Sequence, residues 1–151
     1  MSWDLDEKER RQMLGLPARD RYSLFLQIVV DWEEAWGLRG DAGWVVGSTP
    51  DGSDSFPLWP HPTLAEPCAH GEWEGAAAEA IALGELLEDL LPLLEEERMS
   101  VAVFPTPDGE GTVISPQELR HQLDAEIALG EEEGGGSQPP GEDPPGEDPG
   151  L

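Results

Sequence analysis

A chain of 151 residues allows one ordinary domain with tails and rarely two independent cores. Its formal charge of −25 is uneven: residues 1–21 carry five acids and five bases, residues 22–130 carry 21 acids against Arg39, Arg98 and Arg120, and residues 131–151 add seven acids. Such a field repels phosphate backbones and anionic headgroups while favouring encounter with basic surfaces, which argues against direct nucleic-acid or membrane binding.

The opening stretch "MSWDLDEKERRQ" has no apolar segment after a basic start, and no apolar run elsewhere approaches the roughly eighteen residues that span a bilayer. A cytoplasmic protein is expected. A lone Cys68 forms no internal disulfide, in keeping with a reducing compartment. Residues 1–20, with Trp3, read as a charged leader, partly helical or disordered, ahead of a domain over 21–130. In "RYSLFLQIVVDWEEAW", Leu24, Phe25, Ile28, Val29, Trp32 and Trp36 fall on one stripe of a helix that should face the core. The pattern changes after Gly37. "GWVVGSTPDGSDSFPLW" places two short β-prone runs around Thr49-Pro50-Asp51-Gly52, a hairpin in which Trp44 opens a strand and Pro57 suits an edge.

The next stretch, "WPHPTLAEPCAHGEW", holds His61, Cys68, His70 and the carboxylates Glu66 and Glu72. Zinc wants four ligands in a structural site, or three and water in a catalytic one. Cys68 and His70 would share a face only on a strand, which Pro60, Pro62 and Pro67 disfavour. A short helix or turn over Thr63–Ala69 is expected instead, and no metal site is assigned. A nucleophilic cysteine needs a positive neighbour, whereas acidic surroundings raise the thiol pKa, so no catalytic residue is assigned either. Trp59 and Trp73 bracket this loop and suit pinning it to the core, with their indole N–H groups on carbonyls. As exposed anchors, Trp59, His61, Glu72 and Trp73 would instead be the candidate partner- or ligand-binding residues.

Beyond it, Leu83, Leu86, Leu87, Leu90, Leu91 and Leu94 have helical spacing, and Pro92 should kink or divide that helix. "SVAVFPTPDGEGTVIS" repeats the hairpin grammar around Thr106-Pro107-Asp108-Gly109. Ser115-Pro116-Gln117-Glu118 then signals a capped helix with proline in its first position. The expected fold is α+β: one small domain whose two β-hairpins form an antiparallel or mixed sheet packed by three to four helices. Residues 131–151, with PPGED at 139–143 and again at 144–148, read as a disordered Pro/Gly/acidic tail.

Other signatures fail. "DGSDSF" resembles the start of a calcium loop but has Pro62 where the bidentate glutamate belongs, and no glycine-rich phosphate cradle occurs, so no cofactor is expected.

The series "RYSLFLQIVVDWEEAWGL", "PLWPHPTLAEPC", "GEW", "VAVFPTPDGEG" and "ISPQEL" resembles the bacterial domain-of-unknown-function family number 2750 over about residues 21–127. The resemblance implies a small cytoplasmic bacterial α+β domain and carries no activity, substrate or cofactor; His61 and Glu72-Trp73 match its motif. Two function classes remain. One is a non-catalytic acidic interaction module, inhibitor- or immunity-like in one form, facing a basic protein. The alternative is a small enzyme or ligand-binding domain using the His61–Glu72 loop. The sequence favours the first and leaves the oligomeric state open.

Overall fold

Asp6 opens helix α1 (Glu7–Leu14) with a reciprocal capping box: its carboxylate accepts from the Glu9 amide at 2.8 Å, and the Glu9 carboxylate accepts from the Asp6 amide. The computed structural model describes residues 5–41, 43–49, 51–107 and 111–135, with Glu72 and residues 131–135 described by backbone alone. Leu5, Met13 and Leu14 pack against the core, so most of the expected leader belongs to the fold, while Trp3 lies outside the described residues.

Helix α2 (Ala18–Trp32) buries Phe25, Ile28 and Val29 of the expected stripe, together with Leu26 outside it, while Leu24 is half-buried. The stripe ends earlier than expected. Glu33 adopts a left-handed conformation at φ 57°, its carbonyl accepts from the Leu83 amide at 2.9 Å, and the chain turns into strand β1 (Glu34–Gly40). Trp32 is therefore 46% exposed instead of core, and Trp36 lies on a strand. The cause is non-local: Trp36 pairs with Ala80 and exchanges two backbone hydrogen bonds of 2.8 Å with Trp59. Helical periodicity cannot register such partners.

Two sheets form. In the first, β1 is central between β2 (Gly43–Trp44) and β5 (Ala77–Ala82), both antiparallel to it. The second has the order β3 (Gly47–Ser48), β4 (Asp54–Leu58), β6 (Ser100–Val103), β7 (Thr112–Ile114). It contains hairpins at both expected turns, β3–β4 and β6–β7, joined by a parallel pairing of β4 with β6, but Trp44, expected to open the first hairpin's strand, instead pairs with Arg39 in the other sheet. The sheet is thus mixed. Asp51 stabilises the first turn by accepting hydrogen bonds from the Thr49 hydroxyl and, at 3.0 Å, from the Ser53 amide, and Gly52 supplies the positive φ of 88°. These bonds hold the Asp51 carboxyl below its ordinary pKa. Pro50, Asp108 and Gly109 of the two TPDG turns lie outside the described residues.

Pro57 was expected at an edge, yet β4 is an interior strand. Its missing N–H is tolerated because β3 reaches only Asp54 and Ser55, and the next partner on β4's extension is Trp36 opposite Trp59. The proline falls in the gap between them.

Helix α3 (Pro62–Ala65) belongs to the loop after β4, and a broken helix made of α4 (Leu83–Glu85), a π-helical segment (Leu86–Leu90) and α5 (Leu91–Glu96) follows β5. Pro92 divides this last run as expected. The Leu91 amide reaches back five residues to Leu86 O, widening the turn just before a ring that cannot accept the ordinary helical geometry. Leu86, Leu91 and Leu94 face inward. Helix α6 (Pro116–Gly135) starts where expected, with the Glu118 amide donating to Ser115 Oγ at 3.0 Å, but its backbone continues past residue 130 into the stretch read as tail. Residues 136–151, including both PPGED units, lie outside the described residues. No helix of the described residues is long and apolar enough to cross a membrane.

The strand registers sort side chains onto two faces. Phe56, Val101 and Ile114 form one cross-strand row, with Leu58 and Val103 beside it; α2 contacts β7, α6 contacts β6, and Leu119 and Leu123 complete the core. Pro57, Ala102 and Val113 form the alternate row on the opposite face.

At the end of β6 the chain is fixed by polar contacts. Phe104, with φ 55°, donates its amide to Leu58 O at 2.8 Å and accepts from buried Arg21 Nε at 3.1 Å, while Arg21 also donates to Leu16 O at 2.6 Å. Arg21→Met is expected to lower unfolding free energy by about 3 kcal/mol, since the Phe104 carbonyl loses a charged donor inside the core; a shift in urea midpoint would register it. Glu33→Gly should do the reverse, raising stability by about 1 kcal/mol in the same titration by relieving left-handed backbone at an exposed position.

Candidate functional site

The loop from Trp59 to Trp73 divides into residues that hold the fold and residues that line a cleft. Trp59 is fully buried, its indole donates to Pro105 O at 2.8 Å, and its ring meets that of Trp73 edge-to-face at 6.4 Å and 89°. This is the pinning role expected from sequence. His61 is 3% exposed and serves as N-cap of α3, where its Nδ1 accepts from the Thr63 amide at 3.2 Å and lies 2.9 Å from Thr63 Oγ1. An unprotonated Nδ1 suits that role, because imidazolium would have no lone pair there. The Glu72 side chain lies outside the described residues.

Helix α3 and the short 3₁₀ turn Glu66–Cys68 that extends it carry Cys68 away from His61. Cys68 is buried, and its Sγ donates to Pro105 O at 3.6 Å. Burial pushes the thiol up to about 11, an effect only partly offset by its hydrogen bond with Trp59. His70 is exposed and accepts the Trp73 amide on its carbonyl at 3.0 Å, closing a second 3₁₀ turn. Cys68 and His70 thus line one cleft and His61 does not. Among the described residues, no group of three or more His, Cys, Asp or Glu is arranged to hold a metal ion.

The cleft, about 540 Å³, lies on the face of the mixed sheet opposite α2 and α6. Its floor is the row Pro57, Ala102 and Val113 with Gly47 and Ser55; one wall is Cys68, His70 and Trp73, and the other is Pro105–Pro107 with Gly111. Glycines shape it. A Cβ on Gly111 would stand 2.4 Å from Val103 O, a seat that admits no side chain, and one on Gly47 would stand 3.1 Å from the Trp73 ring, which would have to give by a few tenths of an ångström. A smaller cleft of about 440 Å³ lies beyond Trp73, between Gly40, Asp41 and Gly43–Val46 on one side and Glu74–Ala76 on the other, which makes Trp73 the partition between the two. There Arg39 stacks over Trp44 at 5.1 Å and pairs with Glu79 at 3.7 Å.

Of the four residues nominated from sequence, Trp73 alone is seen to line a cleft; Trp59 and His61 are interior. The sequence reading missed Ser55, Ala102 and Gly111. For Ser55 and Ala102 the signal was strand alternation, small residues set beside buried Phe56, Val101 and Val103, whereas Gly111 lies outside a strand and carried no such signal.

The thiol environment gives a direct check. With its pKa moved from 9.0 to about 11, Cys68 should be alkylated by N-ethylmaleimide at least 100-fold more slowly at pH 8 than an exposed thiol, with the rate still climbing above pH 9. A plateau near pH 9 would contradict the buried geometry. The unfolded thiol ionises near 9 while the folded one keeps its proton to about 11, so Cys68 also makes stability fall as pH rises through that window. Replacing His61 by alanine should cost about 1–2 kcal/mol of stability, read as a lowered Tm, because a buried cap is lost.

Residues 22–123 match the family model described as a protein of unknown function, DUF2750. No curated protein matches the chain. The matched span takes in both sheets, the Trp59–Trp73 loop and the cleft, and covers more than half of the sequence. The chain belongs to the DUF2750 family.

Proposed function

We propose that this chain is a non-catalytic interaction module of a bacterial cytoplasmic protein, whose acidic helical face docks a protein with a basic surface, an inhibitor- or immunity-like role being one form. The observation that carries this reading is the distribution of charge. Glu85, Glu88, Asp89, Glu95, Glu96 and Glu97 are all exposed along the run from α4 to the end of α5. Helix α6 packs against α5 and adds exposed Glu118 and Asp124. Arg120 is partly committed within this face, donating to Leu87 O at 2.8 Å and pairing with Asp124 at 3.9 Å. Leu93, 49% exposed, has Asp89, Glu96 and Glu97 as helical neighbours, so an apolar contact is ringed by carboxylates. That arrangement suits a hot spot with an electrostatic rim, where charge sets the rate and selectivity of encounter and apolar burial slows release.

The small-ligand alternative rests on the cleft, to which the Trp59–Trp73 loop contributes Cys68, His70 and Trp73.

Capture from host lysate at low salt should retain a basic protein that roughly 0.5 M salt releases, because exposed charges are then screened over a few ångströms. A variant carrying Asp89→Lys, Glu96→Lys and Glu97→Lys should lose that protein while keeping wild-type circular dichroism. Retention unchanged by salt and by the triple variant would overturn the electrostatic docking reading.

A further inference from the structure

We propose that the outer edge of β5 takes up an extended, basic segment of a protein partner as an added β-strand. The sign of the partner's charge rests on the reading above, whereas the edge is a surface separate from the helical face.

Strand β5 ends the order β2, β1, β5, so within that sheet it is paired along one side. Which of its backbone groups face outward follows from β1. Trp36 exchanges two backbone hydrogen bonds of 2.8 Å with Trp59, and Leu38 O accepts from the Val45 amide at 2.9 Å, so both residues turn these groups away from β5. In an antiparallel ladder, opposed residues either bond each other or both point outward. Ala80 lies opposite Trp36 and Ala78 opposite Leu38, and each therefore directs its N–H and C=O to the outer side of β5. The Leu83 amide, donating to Glu33 O at 2.9 Å, shows the complementary phase, in which odd-numbered positions carry the ladder to β1.

The sequence of the strand does not blunt this edge. Ala77–Ala82 reads AAEAIA, without the lysine or proline that commonly protects an outer strand. Ala77, Glu79, Ala80 and Ala82 are exposed, and methyl side chains let another backbone approach. Helix α3 contacts both β1 and β5, so it lies over a face of the sheet instead of along its edge. Strand addition meets outward N–H and C=O groups with main-chain hydrogen bonds, and neighbouring side chains set which segment is accepted.

Charge selects the occupant. Glu79 sits on the strand, Glu74 precedes it, Glu33 and Glu85 flank its far end, and all four are exposed. Arg39 answers Glu79 at 3.7 Å. A strand with Lys or Arg at alternate positions meets these carboxylates, whereas a second copy would bring together two bodies in which residues 22–130 carry 21 acids against three arginines. Trp32, 46% exposed, adjoins Glu33 at the same end and supplies an aromatic contact.

The test is amide hydrogen exchange read by ¹H–¹⁵N NMR on the full chain, with a short blocked peptide of alternating threonine and lysine and with its threonine–glutamate counterpart. In the free chain the Ala78 and Ala80 amides should exchange about tenfold faster than those of Glu79 and Ile81. The lysine peptide should shift the Ala78 and Ala80 amides and slow their exchange severalfold, and the glutamate peptide should leave both unchanged. Ala80→Pro removes an outward donor without touching the β1 ladder and should weaken the lysine peptide about tenfold. Ala80→Lys keeps every backbone group, adds a repelling charge at an exposed position and should weaken it about threefold, which decides the matter if the proline variant unfolds. Failure of the lysine peptide to protect the two amides, protection that survives both variants, or an equal effect of the glutamate peptide would each overturn the proposal. So would protection that rises with protein concentration in the absence of peptide, because a second copy would then occupy the edge. Asp89→Lys, Glu96→Lys and Glu97→Lys together should leave the peptide's protection of Ala78 and Ala80 within about threefold, so the edge and the helical face fail or stand separately.

Discussion

Trp59 is the residue through which the two sheets and the cleft wall are tied together. Its backbone exchanges two hydrogen bonds with Trp36 of β1, and it directly follows β4, so one residue bridges the antiparallel sheet to the mixed one. Its side chain then donates to Pro105, beyond the end of β6. A fully buried indole needs a partner for its one donor, and here that requirement fixes the segment forming the far wall of the cleft. Arg21 acts on the same segment from the helical side through Phe104 O, and the left-handed conformation of Phe104 persists because both neighbours over-determine it.

That arrangement explains why the loop richest in chemical letters is divided in role. The stretch must leave β4, cap α3 and return to shield the sheet, so alternate parts of it face the core and the cleft. His61 is consumed by the cap and Trp59 by the bridge. Cys68, half a loop later, is close enough to the core to be neutral and far enough out to line the cleft. Histidine and cysteine near each other in sequence imply a metal or catalytic site only when the backbone turns them toward one point; here Cys68 and His70 line one cleft, while His61 is kept in the interior by its cap.

The surface shows a comparable division. Carboxylates gather on the broken helix and α6, whereas the described cleft lining is neutral.

Much of the fold was legible from local pattern: the α2 stripe through Val29, both hairpins, the break at Pro92 and the start of α6 at Pro116 all follow from periodicity, turn chemistry and capping within a few residues. What failed depended on distant partners. Trp36 continued a helical spacing and became a strand residue because Trp59 and Ala80 offered backbone hydrogen bonds; over the alanine-rich 77–82 no local pattern named an element, and β5 forms there beside β1. The cleft was illegible for the same reason, since its floor is assembled by the parallel pairing of β4 with β6 across some forty intervening residues. By itself the sequence determined charge, local elements and their order, because those depend on near neighbours. Which residues face one another, and hence where a site exists, was decided only by tertiary structure, through pairings whose hydrogen bonds and burial outweigh local propensity.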